Sequence, residues 1–163
     1  MTDWKKRIKC NDPKSFEIGN IWSVENNLSL ITDDFAQMIK DHTFDAIACI
    51  ETKGIIFGAP LAQKLNTSLI IFRKYGKIIH TDDKYSIQYK NWRNQENGIE
   101  IEKELLGEPK KLLIVDDLVY SLATFSAALS IVKKANSSVS CFLCFANLSN
   151  RTNLEGIDIL SIL

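Results

Sequence analysis

Four short apolar runs dominate the chain, and segments long enough for helices or loops separate them. They are FDAIACI ending at Ile50, SLIIF at 68–72, KLLIV at 111–115 and VSCFLCFA at 139–146. The run KLLIV shows no polar alternation, which is typical of a strand buried on both faces of a parallel sheet. Strands of this kind alternating with helices predict an α/β fold: one doubly wound domain with a mainly parallel central sheet flanked by helices.

Three segments between these runs have helical features. The segment TDDFAQMIKD at 32–41 begins with cap-forming residues and then spaces its apolar residues at helical intervals. IIFGAPLAQKL, ending at Leu65, is long enough for a helix despite an internal glycine and proline. A third segment, from Phe125, repeats apolar residues at i, i+3, i+4 and i+7. Without a repeat or a linker, the chain is expected to form a single domain over residues 1–163.

Charge and hydropathy exclude several classes of partner. Twenty basic and twenty acidic residues leave no net charge to attract nucleic acid or an anionic membrane. The chain contains no run of about 20 apolar residues, and its first ten residues lack the apolar core of a secretory signal. We therefore expect a cytoplasmic protein that binds neither nucleic acid nor membrane.

Cysteine and histidine form no metal-binding pattern. Cys141 and Cys144 have CxxC spacing, but they lie within a strand-like run and no second pair completes a zinc set. The four cysteines are expected to be reduced: Cys10, Cys49, Cys141 and Cys144. His42 and His80 are expected at the surface.

Polar sequences follow three of the predicted strands, where parallel sheets bind their ligands. They are ETKG after Ile50, RKYGK after Phe72 and DDLVYSLAT after Val115. About 25 residues separate Phe72 from the strand-like GIEIE that begins at Gly98, against about 4–6 in an ordinary connection. This segment, about 74–97, is predicted to be a mobile lid loop.

The sequence DDLVYSLAT offers two kinds of ligand contact. Asp116 and Asp117 could accept hydrogen bonds from sugar hydroxyls or approach a hydrated metal, or one of them could simply cap a turn. Ser121 and Thr124 bracket a helix start, where free N–H groups and the helix dipole favour a phosphate. Ser121 could equally be an ordinary helix N-cap.

Together these segments resemble the type I phosphoribosyltransferase family. DDLVYSLAT resembles its phosphoribosyl diphosphate signature, in which two acids after an apolar strand precede Thr-Gly-Gly-Thr. IETKGIIFGAPLA is similar to the Glu-x-Arg-Gly segment of adenine phosphoribosyltransferases, RKYGK to their Arg-Lys-x-Gly-Lys and KYSIQY to their Tyr-Ser-Leu-Glu-Tyr loop. The similarity runs in order from about Phe16 to the C-terminus.

The resemblance implies roles for individual residues. Asp116 and Asp117 would hold the ribose hydroxyls, and Mg²⁺ would be bound mainly through the ligand and water. The residues implied in binding phosphoribosyl diphosphate also include Lys53, Arg73, Lys74, Lys77, Tyr120, Ser121, Leu122, Ala123 and Thr124. The base would contact Trp22 and Tyr89. It also implies a homodimer and an N-terminal hood segment, about 1–30.

For several of these residues an ordinary structural role is the alternative. Each basic residue taken singly could belong to a solvated face. Trp22 could be a core or domain-edge residue, and the same ambiguity applies to Tyr89.

The chain departs from the family pattern at three places. Leu122-Ala123 replaces Gly-Gly, which lets backbone amides approach a phosphate. Gln88 stands at the family's catalytic glutamate and cannot act as a carboxylate base. GNIWSVE at 19–25 replaces Gly-x-x-Phe-Arg-Asp, with Ser23 at the arginine.

The resulting prediction is a phosphoribosyltransferase acting on a purine-type base, as in adenine salvage. The alternative is a non-catalytic regulatory paralogue that binds phosphoribosyl diphosphate or a nucleotide, favoured by Gln88 and Leu122-Ala123. A third reading is a decayed pocket in a structural or dimerisation partner, and an aspartate-based phosphotransfer enzyme is a remote fourth. The accepted base is not determined by the sequence.

Overall fold

A single eight-stranded sheet organises the computed structural model, which describes residues 18–163. Its strands are β1 (Ala46–Ile50), β2 (Ser68–Lys74), β3 (Lys84–Lys90), β4 (Glu96–Glu102), β5 (Lys111–Val119), β6 (Ser138–Asn147), β7 (Asn153–Leu154) and β8 (Ile157–Ser161). The helices are α1 (Gly19–Trp22), α2 (Asn27–Met38), α3 (Gly54–Leu65) and α4 (Ala123–Lys134), with a short 3-10 helix at Lys103–Leu106.

The middle of the sheet is parallel, as the apolar runs predict. The strand order is β3-β4-β2-β1-β5-β6-β8-β7. β1 pairs in parallel with β2 and β5, and β6 pairs in parallel with β5 and β8. Antiparallel pairs occur at the two edges, where β3 and β4 form a hairpin and β7 pairs with β8. The predicted α/β fold with a mainly parallel sheet is confirmed.

Helices cover the sheet on both faces. Alternate residues of β1 point to opposite sides: Ala46, Ala48 and Ile50 pack with α4 and the β3–β4 hairpin, while Ile47 and Cys49 pack with α2 and α3. This two-sided burial explains why the strands read as continuous apolar runs.

Helix α3 approaches the sheet closely, and a glycine permits it. A Cβ atom at Gly58 would lie 1.9 Å from the Sγ of Cys49. The glycine within the predicted helix therefore serves close packing rather than breaking the helix.

Helix α2 starts earlier than the sequence pattern indicates. It spans Asn27–Met38, so the expectation that Thr32 and Asp33 cap its start near residue 32 is wrong. The buried Thr32 hydroxyl donates to the carbonyl of Leu28 at 2.7 Å, one turn back within the helix. That bond to i−4 lets threonine occupy a helix interior.

The segment 74–97 is not a plain loop, which corrects the sequence expectation for Lys84–Lys90. These residues form β3, and their inward-facing Tyr85, Ile87 and Tyr89 pack against the core on the α4 side. The alternation in KYSIQYK is the signal for this strand, and the length of the connection concealed it.

The described part of the chain shows where the cysteines and histidines lie and how apolar the helices are. Cys49, Cys141 and Cys144 are buried and free; Cys10 lies outside the described residues. His80 is exposed and pairs with Glu102 at 2.9 Å. His42 is half-buried and lines a shallow surface pocket, in keeping with its expected surface position. None of the helices in residues 18–163 is long and apolar enough to cross a membrane.

Candidate active site at the carboxyl edge of the sheet

A cavity of about 420 Å³ opens where β1, β2 and β5 end. Parallel strands bring their carboxyl ends to one edge, so segments distant in sequence meet there. The lining includes Lys53, Lys74, Tyr89, Asp116, Asp117 and Thr124. Four of the predicted motif segments thus contribute to one concave site.

The two aspartates lie inside β5 rather than after it, because the strand continues to Val119. Asp116 is only 8% exposed, and Asp117 is half-buried. The backbone N–H of Asp117 donates to Oδ1 of Asp116 at 2.8 Å. Burial and the neighbouring Asp117 raise the pKa of the Asp116 carboxyl well above its ordinary value. This side chain therefore favours hydroxyl donors or a cation next to it.

The start of α3 lies directly against these aspartates. A Cβ atom at Gly54 would lie 2.8 Å from the carbonyl oxygen of Val115 and 3.1 Å from the Cα of Asp116. Glycine is therefore needed at the end of the ETKG segment. The close contact places Lys53 at the same cavity as the two carboxylates.

Glu51 organises the basic side of the cavity. Its Oε2 accepts hydrogen bonds from Arg73 Nε and from the backbone N–H of Lys74, both at 2.9 Å. Burial would raise the pKa of Glu51, but these bonds and the charges of Arg73 and Lys74 hold it below the ordinary value. Arg73 is thereby engaged by Glu51, whereas Lys74 lines the cavity.

The sequence after Lys74 forms a tight turn, called here the basic turn (residues 74–77). The backbone N–H of Lys77 donates to the carbonyl of Lys74 at 3.1 Å. Gly76 has a φ of +80°, as the third residue of a type II turn requires. Lys77 is exposed and does not line the cavity, so the structure does not bring it to the other predicted residues.

The start of α4 faces a second cavity of about 230 Å³, beside the first. Its lining includes Asn91, Trp92, Asp117, Tyr120, Ser121 and Thr124. The N-cap of α4 is Leu122, without a side-chain capping bond, so the alternative of Ser121 as an ordinary N-cap is wrong. Leu122 packs against the core, and neither Leu122 nor Ala123 lines either cavity.

The β3–β4 hairpin covers this second cavity through two side-chain contacts. Tyr89 Oη and Thr124 Oγ1 are 3.0 Å apart, within hydrogen-bond distance. The rings of Trp92 and Tyr120 stack with centroids 4.6 Å apart. Burial and the charge of Asp116 raise the pKa of the Tyr89 hydroxyl, and the hydrogen bond with Thr124 partly opposes that rise. The sequence analysis did not identify Trp92 as a site residue, although it follows KYSIQYKN within the predicted lid loop, about 74–97.

Gln88 and Trp22 also line neither cavity. Gln88 is exposed on β3, on the face opposite to that of its neighbour Tyr89. Trp22 packs edge-on against Phe57 with ring centroids 5.8 Å apart, beside the core on the α3 side. Ser23 is exposed. Residues 1–17 of the predicted hood segment lie outside the described residues.

Comparison with known families gives a consistent match. The sequence model of the phosphoribosyl transferase domain matches residues 19–159. An adenine phosphoribosyltransferase from Cyanothece sp. is 32% identical over 149 residues, covering 88% of this chain and 84% of that protein. One from Treponema denticola is 36% identical over 114 residues; the match covers 70% of this chain and 58% of its relative's length.

Solved structures agree with this match at the level of the fold. The crystal structure of adenine phosphoribosyltransferase from Thermoanaerobacter pseudethanolicus superposes with a TM-score of 0.81 at 27% identity, covering 90% of this chain and 86% of that one. The enzyme from Giardia lamblia, complexed with 9-deazaadenine, gives a TM-score of 0.79 at 21% identity, covering 89% and 83%.

Proposed function

This chain belongs to the phosphoribosyl transferase domain family, and from that premise we propose that it transfers 5-phosphoribosyl from phosphoribosyl diphosphate to a purine-type base, as in adenine salvage. Family membership and relatives named adenine phosphoribosyltransferase indicate a glycosyltransferase-type enzyme. The observation that carries the proposal is one cavity lined by Asp116, Asp117, Lys53 and Lys74.

The reaction breaks the bond between ribose C1 and a diphosphate oxygen, and a nitrogen of the base forms the new bond to C1. Positive charge develops on the ribose while negative charge develops on the leaving diphosphate, and the N–H proton of the base passes to the departing diphosphate or to water. The carboxylates of Asp116 and Asp117 would accept hydrogen bonds from the ribose hydroxyls and orient the ring. The ammonium groups of Lys53 and Lys74 would stabilise the departing diphosphate.

The predicted Mg²⁺ fits the residues at this site. Mg²⁺ in such sites keeps several waters and uses one or two carboxylates together with substrate phosphates. Asp116 and Asp117 supply that pair, whereas residues 18–163 hold no group of three or more potential ligands. The bound metal would neutralise charge on the diphosphate.

The second cavity is the proposed site for the 5-phosphate. The N-terminal turn of α4 presents backbone N–H groups there, and its dipole favours an anion. The packing of Leu122 against the core supports this role, because the leucine that replaces glycine lines neither cavity. From the predicted phosphate-binding segment, Tyr120 and Ser121 before α4 and Thr124 in its first turn line this cavity.

The cover and the hood complete the proposal. We propose that residues 74–97, containing the β3–β4 hairpin, shield the reaction from water, and that residues 18–30, the described part of the predicted hood, lie near the base. Tyr89 lines the cavity and is the proposed base contact. The predicted base contact of Trp22 is less well supported, because this ring packs on Phe57.

A regulatory paralogue that binds without turnover is the second candidate. Gln88 favours it, because an amide cannot accept the proton that a glutamate would take.

We further propose a homodimer acting in the cytoplasm; the free thiols of Cys49, Cys141 and Cys144 support that compartment. Light scattering of the purified protein would give the oligomeric state.

The deciding experiment measures diphosphate release from phosphoribosyl diphosphate and Mg²⁺ with adenine, guanine or hypoxanthine, alongside calorimetric binding. Release that depends on the base supports the transferase. Binding without release supports the regulatory protein. Asp116→Asn/Asp117→Asn should abolish both signals, and a wild-type protein that does not bind phosphoribosyl diphosphate would rule out both candidates.

A further inference from the structure

A buried carboxylate lies directly behind the basic turn. Glu100 of β4 is fully buried. Its Oε1 accepts a hydrogen bond from the backbone N–H of Ile78 at 2.6 Å, and the carboxylate also accepts one from the backbone of Gly76. The Nζ of Lys84 lies 3.1 Å from Oε2. The partners that stabilise this buried charge therefore belong to the basic turn, to Ile78 directly after it and to β3.

Glu100 is ionised in this environment. Burial would raise its pKa, but the N–H of Ile78, the Lys84 ammonium and the N–H of Gly76 together hold the pKa below its ordinary value. A buried charge with this many donors is costly to remove, because the donors would be left unpaired.

Further contacts fix the same stretch of chain to the hairpin. Lys84 Nζ also donates to the carbonyl of Ile78, so both peptide groups of Ile78 are engaged. The backbone N–H of Tyr75 donates to the carbonyl of Gly98 on β4 at 2.9 Å. A Cβ atom at Gly98 would lie 2.8 Å from the Cβ of Tyr75, so the turn packs tightly on this strand.

We propose that Glu100 is a positioning residue for the diphosphate group: by holding residues 76–78, it keeps the basic turn in place and directs Lys74 into the cavity. Glu100 itself lines neither cavity and touches no ligand site. This inference rests on the proposed phosphoribosyl transfer, in which Lys74 faces the leaving diphosphate. A displacement of about 1 Å in such a group is enough to weaken its interaction strongly.

The test compares the wild type with Glu100→Gln, which keeps the shape of the side chain but removes its charge. Calorimetric titration with phosphoribosyl diphosphate and Mg²⁺ should show an affinity about tenfold lower. Steady-state kinetics should show a KM for phosphoribosyl diphosphate about tenfold higher and a lower kcat, because Lys74 also acts on the departing diphosphate, with the KM for adenine within about twofold. A merely structural defect would not separate the two substrates in this way.

Glu102→Gln is the matched control. Glu102 lies two residues further along β4 and pairs with His80 at 2.9 Å instead of the basic turn. Its substitution should leave both KM values unchanged. If Glu100→Gln does not fold, Lys84→Met provides the test, because it removes the ammonium and keeps the aliphatic stem.

Two results would overturn the inference: unchanged affinity for phosphoribosyl diphosphate in a folded variant, or equal losses for both substrates. A wild-type protein that binds no phosphoribosyl diphosphate would remove the proposed function and this inference together. Wild-type binding with an unaffected Glu100→Gln would remove only the inference.

Discussion

Among the residues of the site, Asp116 shows how a functional position can oppose stability. Its carboxyl is 8% exposed and sits next to the charge of Asp117, and both effects disfavour ionisation. Because the pKa in the folded protein is raised, the folded state binds the proton more tightly than the unfolded state does. Stability contributed by the neutral carboxyl is therefore present at low pH and is lost as the pH rises through the raised pKa.

Asp116→Asn should accordingly stabilise the protein while removing function. The amide oxygen can still accept the N–H of Asp117, and no buried charge remains at neutral pH. We expect the Tm at pH 7 to rise by about 2–5 °C, with a smaller rise at pH 4.5. Affinity for phosphoribosyl diphosphate should fall at least about tenfold. Thermal melts at both pH values check the first expectation; a lower Tm at pH 7 would show that the charged form is the favoured one.

The exposed position of Gln88 leads to an expectation for Gln88→Glu. The side chain points away from Tyr89 and the cavity, so a carboxylate there would not reach a ligand in this arrangement. A general base typically contributes about 10²–10⁴ in rate. We expect kcat to change by less than about threefold, measured as diphosphate release. An increase of about a hundredfold would instead show that β3 rotates during turnover.

At the level of elements, the distance between α3 and β1 is set by two small residues, Gly58 and Cys49. Gly58→Ala would place a methyl group 1.9 Å from the Sγ of Cys49, so helix and strand would have to separate. We expect a loss of about 2–3 kcal/mol in the free energy of unfolding, from denaturant titration. Cys49→Ala should recover part of this loss in the double variant. Purely additive effects would contradict direct contact between the two residues.

The hairpin contact with Tyr120, in the connection between β5 and α4, gives a second expectation at this scale. Trp92→Ala removes the ring stacked on Tyr120, and an aromatic pair contributes about 0.5–1.5 kcal/mol beyond its buried area. We expect faster amide hydrogen exchange in β3 and in the β3–β4 turn, with α4 unchanged. Trp92→Phe, which can still stack, is the control. Exchange that stays the same in Trp92→Ala would show that the stacking does not hold the hairpin.

The hydrophobic pattern of the sequence predicted the central strands well, but it predicted the edge strand β3 and the start of α2 less well. β1, β5 and β6 are buried on both faces, and β2 buries Ile70 and Phe72 on one face, so each produces an apolar run that is visible in the sequence. β3 is half-buried and follows a long connection, which made it look like a loop. The start of α2 was misplaced because Thr32 bonds inside the helix, and a sequence cannot distinguish that from capping.

For the whole molecule, the parallel topology explains how much of the site could be predicted. Once β1, β2 and β5 are taken as parallel neighbours, Lys53, Lys74 and Asp116 must converge at one edge. Contacts that depend on side-chain direction could not be predicted in this way. Glu100 reads as one acid in an alternating strand, and its burial behind the basic turn follows only from the packing of β4.

Ligand binding should stabilise the whole domain, because the proposed site joins β1, β2, β5 and α4. A ligand at about 100 times its Kd adds about 2.7 kcal/mol to the free energy of unfolding. For a domain of this size we expect phosphoribosyl diphosphate with Mg²⁺ to raise the Tm by about 5–10 °C. The rise should be absent in Asp116→Asn/Asp117→Asn, and an equal rise in that variant would place binding elsewhere.

The closed hairpin has a kinetic consequence. Tyr89 contacts Thr124 and Trp92 stacks on Tyr120, so these two contacts hold the hairpin over the second cavity. The hairpin meets β2 through only two residue pairs, Arg73 with Glu100 and Lys74 with Ile99. Entry of a ligand therefore waits for an opening step, so the observed association rate should level off at high ligand concentration. The plateau would report the opening rate directly, and Trp92 lies where its fluorescence can follow it.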